Sequence, residues 1–273
     1  MDTRLQRRVQ RYGWDRAAEH YERSWSAQLA PAQDRLLVLA DLRPGEAVLE
    51  VACGTGLVTL PAARAVGPGG RVLATDISDG MVEETRARAA DAGITWVECA
   101  RVSAEELDVE KDAFDAALCA LGLMYVTDPP VALRRLRHAL REGGRAVFAV
   151  WGERRNCGWA GIFPVVDERV HTEVCPLFFA LGNGEALADT VTEAGFADVE
   201  SERLTTVLHY DTEEEAADAA FAGGPVAMAY SRFDQATRQD ARRAYLETIE
   251  TYRNGTGYRI PGEFVIVRGR RAG

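Results

Sequence analysis

Twelve consecutive residues restrict the fold of this chain more than any others: Val48-Leu49-Glu50-Val51-Ala52-Cys53-Gly54-Thr55-Gly56-Leu57-Val58-Thr59. A short apolar run of strand formers meets two glycines at alternate positions, and a helical pattern begins at Leu57. A strand that turns on glycines into a helix is a binding device. The glycines let backbone approach a ligand closely, and the helix N-terminus offers unpaired N–H groups.

Two kinds of ligand use such a turn. A dinucleotide needs a third glycine, where helix and strand pack under the pyrophosphate, and that position here is Thr59. Glu50 stands four residues before Gly54. A carboxylate there repels a pyrophosphate but favours a ligand carrying an ammonium and a sulfonium. A second strand-like run, Arg71 to Thr75, ends at Asp76, which can accept hydrogen bonds from both hydroxyls of a ribose.

The remaining composition narrows the class. A formal net charge of −10 over 273 residues argues against a nucleic-acid partner, which would need a basic footprint. Arg4, Arg7, Arg8 and Arg11 form a local cluster, read as the solvated face of a helix. No apolar run is long enough to span a bilayer and the N-terminus is polar, so a cytoplasmic location is expected. The five cysteines are Cys53, Cys99, Cys119, Cys157 and Cys175, an odd number without C-x-x-C spacing. That fits reduced thiols and no metal site.

Along the chain, Trp14, Ala17, Ala18, Tyr21 and Trp25 recur at helical spacing, and Pro31 is expected to open a second helix ending at Pro44-Gly45. After the glycine turn, strands are expected at 71–75, 95–98, within 113–119 and at 145–151. Helices separate them, one of them capped by Ser78 and one started by Asp128-Pro129-Pro130. Strands alternating with helices predict a parallel sheet with right-handed crossovers. The second half is less regular. It shows a helix over 184–194, a strand over 199–210, charged helices over 212–222 and 234–253, and a last strand over 264–268.

Glu50-x-x-x-Gly54-x-Gly56, then Asp76-Ile77-Ser78 with Met81, resembles the class I S-adenosylmethionine-dependent methyltransferases, most closely their UbiE-like small-molecule group. The resemblance implies an α/β, Rossmann-like, seven-stranded, mostly parallel sheet whose last strand is antiparallel, with helices on both faces and a helical cap. It divides the chain into a helical lid (1–45), a cofactor-binding core (46–151) and the rest of the sheet with inserted cap segments (152–273). It also implies S-adenosylmethionine as cofactor. Glu50, Ala52, Gly54, Thr55 and Gly56 would serve its methionine part, with Tyr21 of the lid above. Asp76 would take the ribose, and Ile77, Met81, Val102 and Ser103 would flank the adenine. Ser103 departs from the family, which usually has an acidic residue there. Cys119 ends a cofactor-facing strand, although packing is the plainer reading of a small buried thiol.

Methyl transfer needs a positioned acceptor more than a covalent helper. Tyr125, Trp151, Trp159 and Phe163 are candidates to line an apolar pocket. His171 is a candidate general base, set against the plainer reading of a surface histidine. The expected function is methyl transfer by in-line displacement to a small, apolar or ring-containing molecule. Alternatives are a thiol or metalloid methylator using Cys157 and Cys175, a binding protein without catalysis, and a nicotinamide-dependent oxidoreductase. The residues do not give an oligomeric state.

Overall fold

A computed structural model describes residues 3–171 and 177–273. Strands β1 (Ala47–Val51), β2 (Arg71–Asp76), β3 (Val97–Arg101), β4 (Phe114–Ala120), β5 (Leu140–Trp151), β6 (Phe196–Tyr210), β7 (Arg253–Asn254) and β8 (Gly257–Arg271) form one sheet. Its order is β3-β2-β1-β4-β5-β8-β6, with the two-residue β7 hydrogen-bonded to β8 at the margin. The first five strands pair in parallel, and β8 runs antiparallel between β5 and β6. The expected seven-stranded sheet is therefore present. All five residues of β1 are buried, as parallel strands covered on both faces require.

The helices that flank the sheet are α1 (Thr3–Ala40), α2 (Thr59–Val66), α3 (Asp79–Asp91), α4 (Pro129–Ala139), α5 (Ile162–Val170), α6 (Ala186–Glu193), α7 (Glu213–Phe221), α8 (Ala227–Ser231) and α9 (Gln235–Ile249). Ser78 caps α3 by accepting from the Met81 N–H at 3.1 Å, and Asp128 caps α4 by accepting from Val131 N–H at 3.0 Å. The two prolines after Asp128 occupy the first helical positions, so capping accounts for Asp128-Pro129-Pro130. No helix among the described residues is long and apolar enough to cross a membrane.

Several boundaries differ from expectation. Pro31 does not open a second helix; α1 runs unbroken through it. An interior proline costs about 3 kcal/mol of helix stability. Against that, Trp25, Leu29, Ala32, Leu36 and Ala40 recur every three or four residues and are buried in the main core, so packing holds the helix through the proline. Strand β3 begins at Val97 and not Thr95; just before it, the Trp96 indole donates to the Ala63 carbonyl of α2 at 2.8 Å. Helix α2 starts at Thr59, two residues beyond the pattern seen at Leu57. Strands β6 and β8 extend each other by mutual pairing from Phe196–Arg271 to Tyr210–Tyr258, well past the apolar run at 264–268.

Candidate functional site

The carboxyl ends of β1, β2 and β4 open onto one edge of the sheet, and α1 lies across it. At the end of β1 the backbone takes left-handed conformations at Ala52, Gly54 and Gly56 (φ +54°, +57° and +85°). The two glycines serve different neighbours. A Cβ on Gly54 would point at the Tyr21 ring, 3.7 Å from Cε1. A Cβ on Gly56 would press on Thr85 of α3, 3.1 Å from Cγ2. Thr85 Oγ1 donates to the Gly54 carbonyl at 2.8 Å, which ties the turn to α3.

Asp76, at the end of β2, braces the same turn. Its carboxylate accepts from the Gly54 N–H at 3.0 Å and from the Ser78 N–H at 2.9 Å. Each oxygen keeps lone-pair capacity for a ligand hydroxyl. Burial pushes its pKa up to about 6, against the pull of the Ser78 and Gly54 N–H groups. Glu50 is buried on β1 and accepts from Thr59 Oγ1 at 2.6 Å. Burial drives its pKa up to about 8; the Thr59 hydroxyl works against that rise and the nearby Asp76 adds to it. Among the described residues neither buried carboxylate has a basic partner, an arrangement that suits a cationic, hydroxyl-bearing ligand.

Three adjoining cavities surround this core. A cleft is bordered by Tyr21, Ala52, Gly54, Asp76, Ile77, Met81, Val102, Ser103 and Tyr125. A small recess lies beside it, between Glu50, Gly54, Tyr21 and Gln33. A narrow chamber has aromatic walls: Trp14, Tyr21, Trp25, Tyr125, Trp151, Trp159 and Phe178. Cleft and chamber share Trp14, Tyr21, Leu121 and Tyr125 as a common wall, in which the Trp14 ring packs edge-on against Tyr21 and Tyr125.

The other candidates lie elsewhere. Thr55, Gly56 and Cys119 are buried behind the cleft and line none of these cavities. Phe163 is a second layer, packed 4.9 Å from Phe178 and 5.9 Å from Trp159 by ring centroids. His171 is exposed at the C-terminal end of α5 and borders none of the three cavities, so the geometry separates it from the site. Cys157 is buried against the Glu263 carbonyl, and burial pushes its thiol up to about 12; Cys175 lies outside the described residues. Among the described residues no group of His, Cys, Asp and Glu is arranged to hold a metal.

Sequence reasoning passed over Asp15, Gln33, Leu121 and Gly122. Asp15 of α1 accepts from Ser78 Oγ at 2.6 Å and Gly80 N–H at 3.2 Å, which anchors α1 over the sheet edge. Leu121 takes a left-handed conformation (φ +60°) on the partition between cleft and chamber. A Cβ on Gly122 would lie 2.3 Å from the Ala52 Cβ, so only glycine lets the ends of β4 and β1 meet. The glycine after strand four was the available signal.

Residues 48–144 match the methyltransferase domain family. A nocamycin O-methyltransferase from Saccharothrix syringae is 31% identical over 220 residues, covering 76% of this chain and 76% of that protein. The chain is a member of the S-adenosylmethionine-dependent methyltransferases. A ubiquinone/menaquinone biosynthesis C-methyltransferase UbiE from Ectopseudomonas mendocina is 40% identical over 119 residues, 43% of this chain and 46% of that one. An aklanonic acid methyltransferase from a Streptomyces species is 31% identical over 135 residues, 50% of this chain and 61% of the relative. The YcgJ protein of Bacillus subtilis has the same fold, with a TM-score of 0.62 over 89% of this chain and 99% of that one at 16% identity. The methyltransferase thus belongs to the UbiE-like small-molecule group and moves a methyl group from S-adenosylmethionine to a small-molecule acceptor. That membership removes the nicotinamide alternative. The glycine turn and the two buried carboxylates at the cleft fit the cofactor.

Proposed function

We propose that this methyltransferase alkylates an oxygen of an apolar, ring-bearing acceptor held in the aromatic chamber. The observation that carries this is an aromatic-walled chamber set directly against the cleft, with Trp14, Tyr21, Leu121 and Tyr125 as their common wall. The names of two relatives, an O-methyltransferase and an aklanonic acid methyltransferase, support oxygen as the accepting atom. Apolar walls with few polar groups suit a ring-bearing ligand.

In this reading Gly54 and the Asp76 carboxylate hold the ribose and methionine portions of S-adenosylmethionine. Glu50 and Gln33 face its amino-acid end from the recess. Ile77, Met81, Val102 and Ser103 border the base. When bound, the cofactor supplies a methyl group already activated on a sulfonium. The protein's work is to orient the acceptor and exclude water; well-oriented reactants can save roughly 7–11 kcal/mol of the barrier. Residues 1–45 act as a lid through α1, and the segments 152–183 and 212–257 contribute Trp159, Phe178 and Gly223–Pro225 to the far wall.

Met124 tests the assignment because it borders the chamber and not the cleft. Met124→Trp fills the chamber. Turnover of an aromatic acceptor, measured by mass spectrometry of the methylated product, should fall at least about tenfold, with S-adenosylhomocysteine affinity by calorimetry preserved. Unchanged kcat and KM would place the acceptor elsewhere.

A further inference from the structure

Glu263 is a buried carboxylate that the cofactor site does not use. It lies on β8, 6% exposed, just before the buried run Phe264 to Val267. Burying a carboxylate is costly unless it is paired and hydrogen-bonded. The β6–β8 ladder supplies the pair. Thr205 stands opposite Glu263, and Arg203, two residues earlier on β6, shares its face of the sheet. Arg203 Nη1 donates to Glu263 Oε2 at 2.8 Å.

The other bonds of this pair run to the two ends of one segment, residues 152–184, which leaves the sheet after β5 and returns at α6. At the near end the Glu153 N–H donates to Glu263 Oε2 and Asn156 Nδ2 donates to Oε1, each at 3.0 Å. The Glu263 carbonyl accepts from the Gly152 N–H at 2.6 Å. At the far end Arg203 Nη2 donates to the carbonyl of Gly182, at 3.1 Å, and to that of Gly184. The guanidinium fork serves a carboxylate and two carbonyls at once, which a single ammonium does not match. The ends are also pressed together. A Cβ on Gly182 would collide with the Trp151 carbonyl, and one on Gly152 with the Glu263 carboxylate, so glycine is what admits this closure.

The segment held in this way carries part of the chamber. Trp159 and Phe178 lie within it, and Trp151 immediately precedes it. Trp151 packs on Phe264, the neighbour of Glu263, with ring centroids 4.2 Å apart. Trp159 lies 4.8 Å from Trp151 and 5.6 Å from Phe178. In a narrow chamber the placement of each ring decides which acceptors fit.

We propose that Glu263 and Arg203 are positioning residues for acceptor recognition: the pair clamps both ends of residues 152–184 and so fixes the wall formed by Trp151, Trp159 and Phe178. This rests on the chamber being the acceptor site. Neither residue borders the cleft, the recess or the chamber, so their effect on the acceptor passes through the rings alone.

The test compares Glu263→Gln and Arg203→Lys with the unmodified enzyme. The acceptor is whichever member of a panel of naphthols, hydroxyanthraquinones and aryl-alkanoic acids the unmodified enzyme turns over fastest. In Glu263→Gln, amide hydrogen exchange should quicken in peptides covering 152–171 and 177–184, with β1 and β4 unaffected. The acceptor KM should rise at least about tenfold, with S-adenosylhomocysteine affinity within about twofold of wild type. Arg203→Lys keeps a cation beside Glu263 and loses the fork, so exchange should quicken at 177–184 alone, with an acceptor KM between the other two. Unchanged exchange in both segments of Glu263→Gln would overturn the clamp. So would an equal loss of cofactor and acceptor affinity, or a fall in kcat with both KM values unchanged, since those are the marks of general destabilisation. Quickened exchange with an unchanged acceptor KM would instead show that the acceptor does not lie against this wall, and would bring down the chamber reading on which the proposal rests. Should Glu263→Gln fail to fold, Asn156→Ala removes only the bond from an exposed residue at the near end. It should quicken exchange at 152–160 and raise the acceptor KM at least about twofold, and wild-type values of both would overturn the proposal.

Discussion

Glu50 illustrates how one side chain couples solution conditions to ligand binding. Its pKa, raised to about 8 by burial, leaves it largely protonated in the ligand-free protein at pH 7. A cationic ligand favours the ionised form, so binding should expel a proton. Titration calorimetry of S-adenosylmethionine at pH 7, repeated in buffers of differing ionisation enthalpy, should therefore register proton release, and affinity should rise with pH until it levels above about 8. Zero release would mean that Glu50 is already charged in the free protein. The same group acts on stability. Its folded pKa lies above the unfolded value, so its contribution to stability is fully present below about 4.5 and is lost as pH rises through about 8. Gly122 makes a second residue-scale prediction. Gly122→Ala drives a methyl group into the Ala52 Cβ at 2.3 Å. It should cost about 1–3 kcal/mol in urea unfolding, as overpacking does, and weaken cofactor binding by displacing the β1 turn. Wild-type stability would show that the two strand ends part without cost to admit a methyl group. Glu50 and Asp76 stood out in the sequence because one interrupts an apolar strand run four residues before Gly54 and the other closes the next run. Asp15 and Gln33 were not, because a polar residue on an amphipathic helix looks the same whether it faces water or a ligand.

At the scale of elements, α1 carries the site. Asp15 pins it to α3 through Ser78 and Gly80, and ion pairs from Arg7 to Glu106 and from Arg11 to Asp79 strap its N-terminal half over the cleft. Arg101 shares Asp79 with Arg11. These pairs are partly exposed, so salt should loosen them. Amide hydrogen exchange over residues 6–20 should be slowed by S-adenosylhomocysteine and quickened by raising salt from 0.05 to about 0.5 M, with β1 and β4 unaffected by either. Equal protection of α1 in all conditions would make it scaffold. The elements that strand and helix periodicity fix locally, β1 to β5 and α3 and α4, were legible in outline. Those whose limits come from partners were not. β8 gains its ends by pairing with β6, and α1 survives Pro31 only because the sheet buries its face. The short α8 carries too little pattern to be seen in sequence.

At the scale of the molecule, the chamber is assembled from widely separated segments. Trp14 to Leu29 come from the first helix, Leu121 to Tyr125 from the loop after β4, and Trp151, Trp159 and Phe178 from the end of β5 and the segment beyond it. Gly223 to Pro225 join α7 to α8. The cofactor side draws almost wholly on residues before 130, and those are the residues where the family signature lies. On the chamber side the sequence offered Tyr125, Trp151 and Trp159, which do line it, but not Trp14, Trp25 or Phe178, whose places arise from packing between distant segments. Tyr21 stands at the junction, on the wall of the cleft, the recess and the chamber at once. A single ring on all three walls predicts an ordered reaction under the proposed site assignment: the cofactor fills the cleft and fixes the ring before the acceptor binds, and the demethylated cofactor leaves after the product. Steady-state inhibition by S-adenosylhomocysteine should then be competitive against S-adenosylmethionine and mixed against the acceptor.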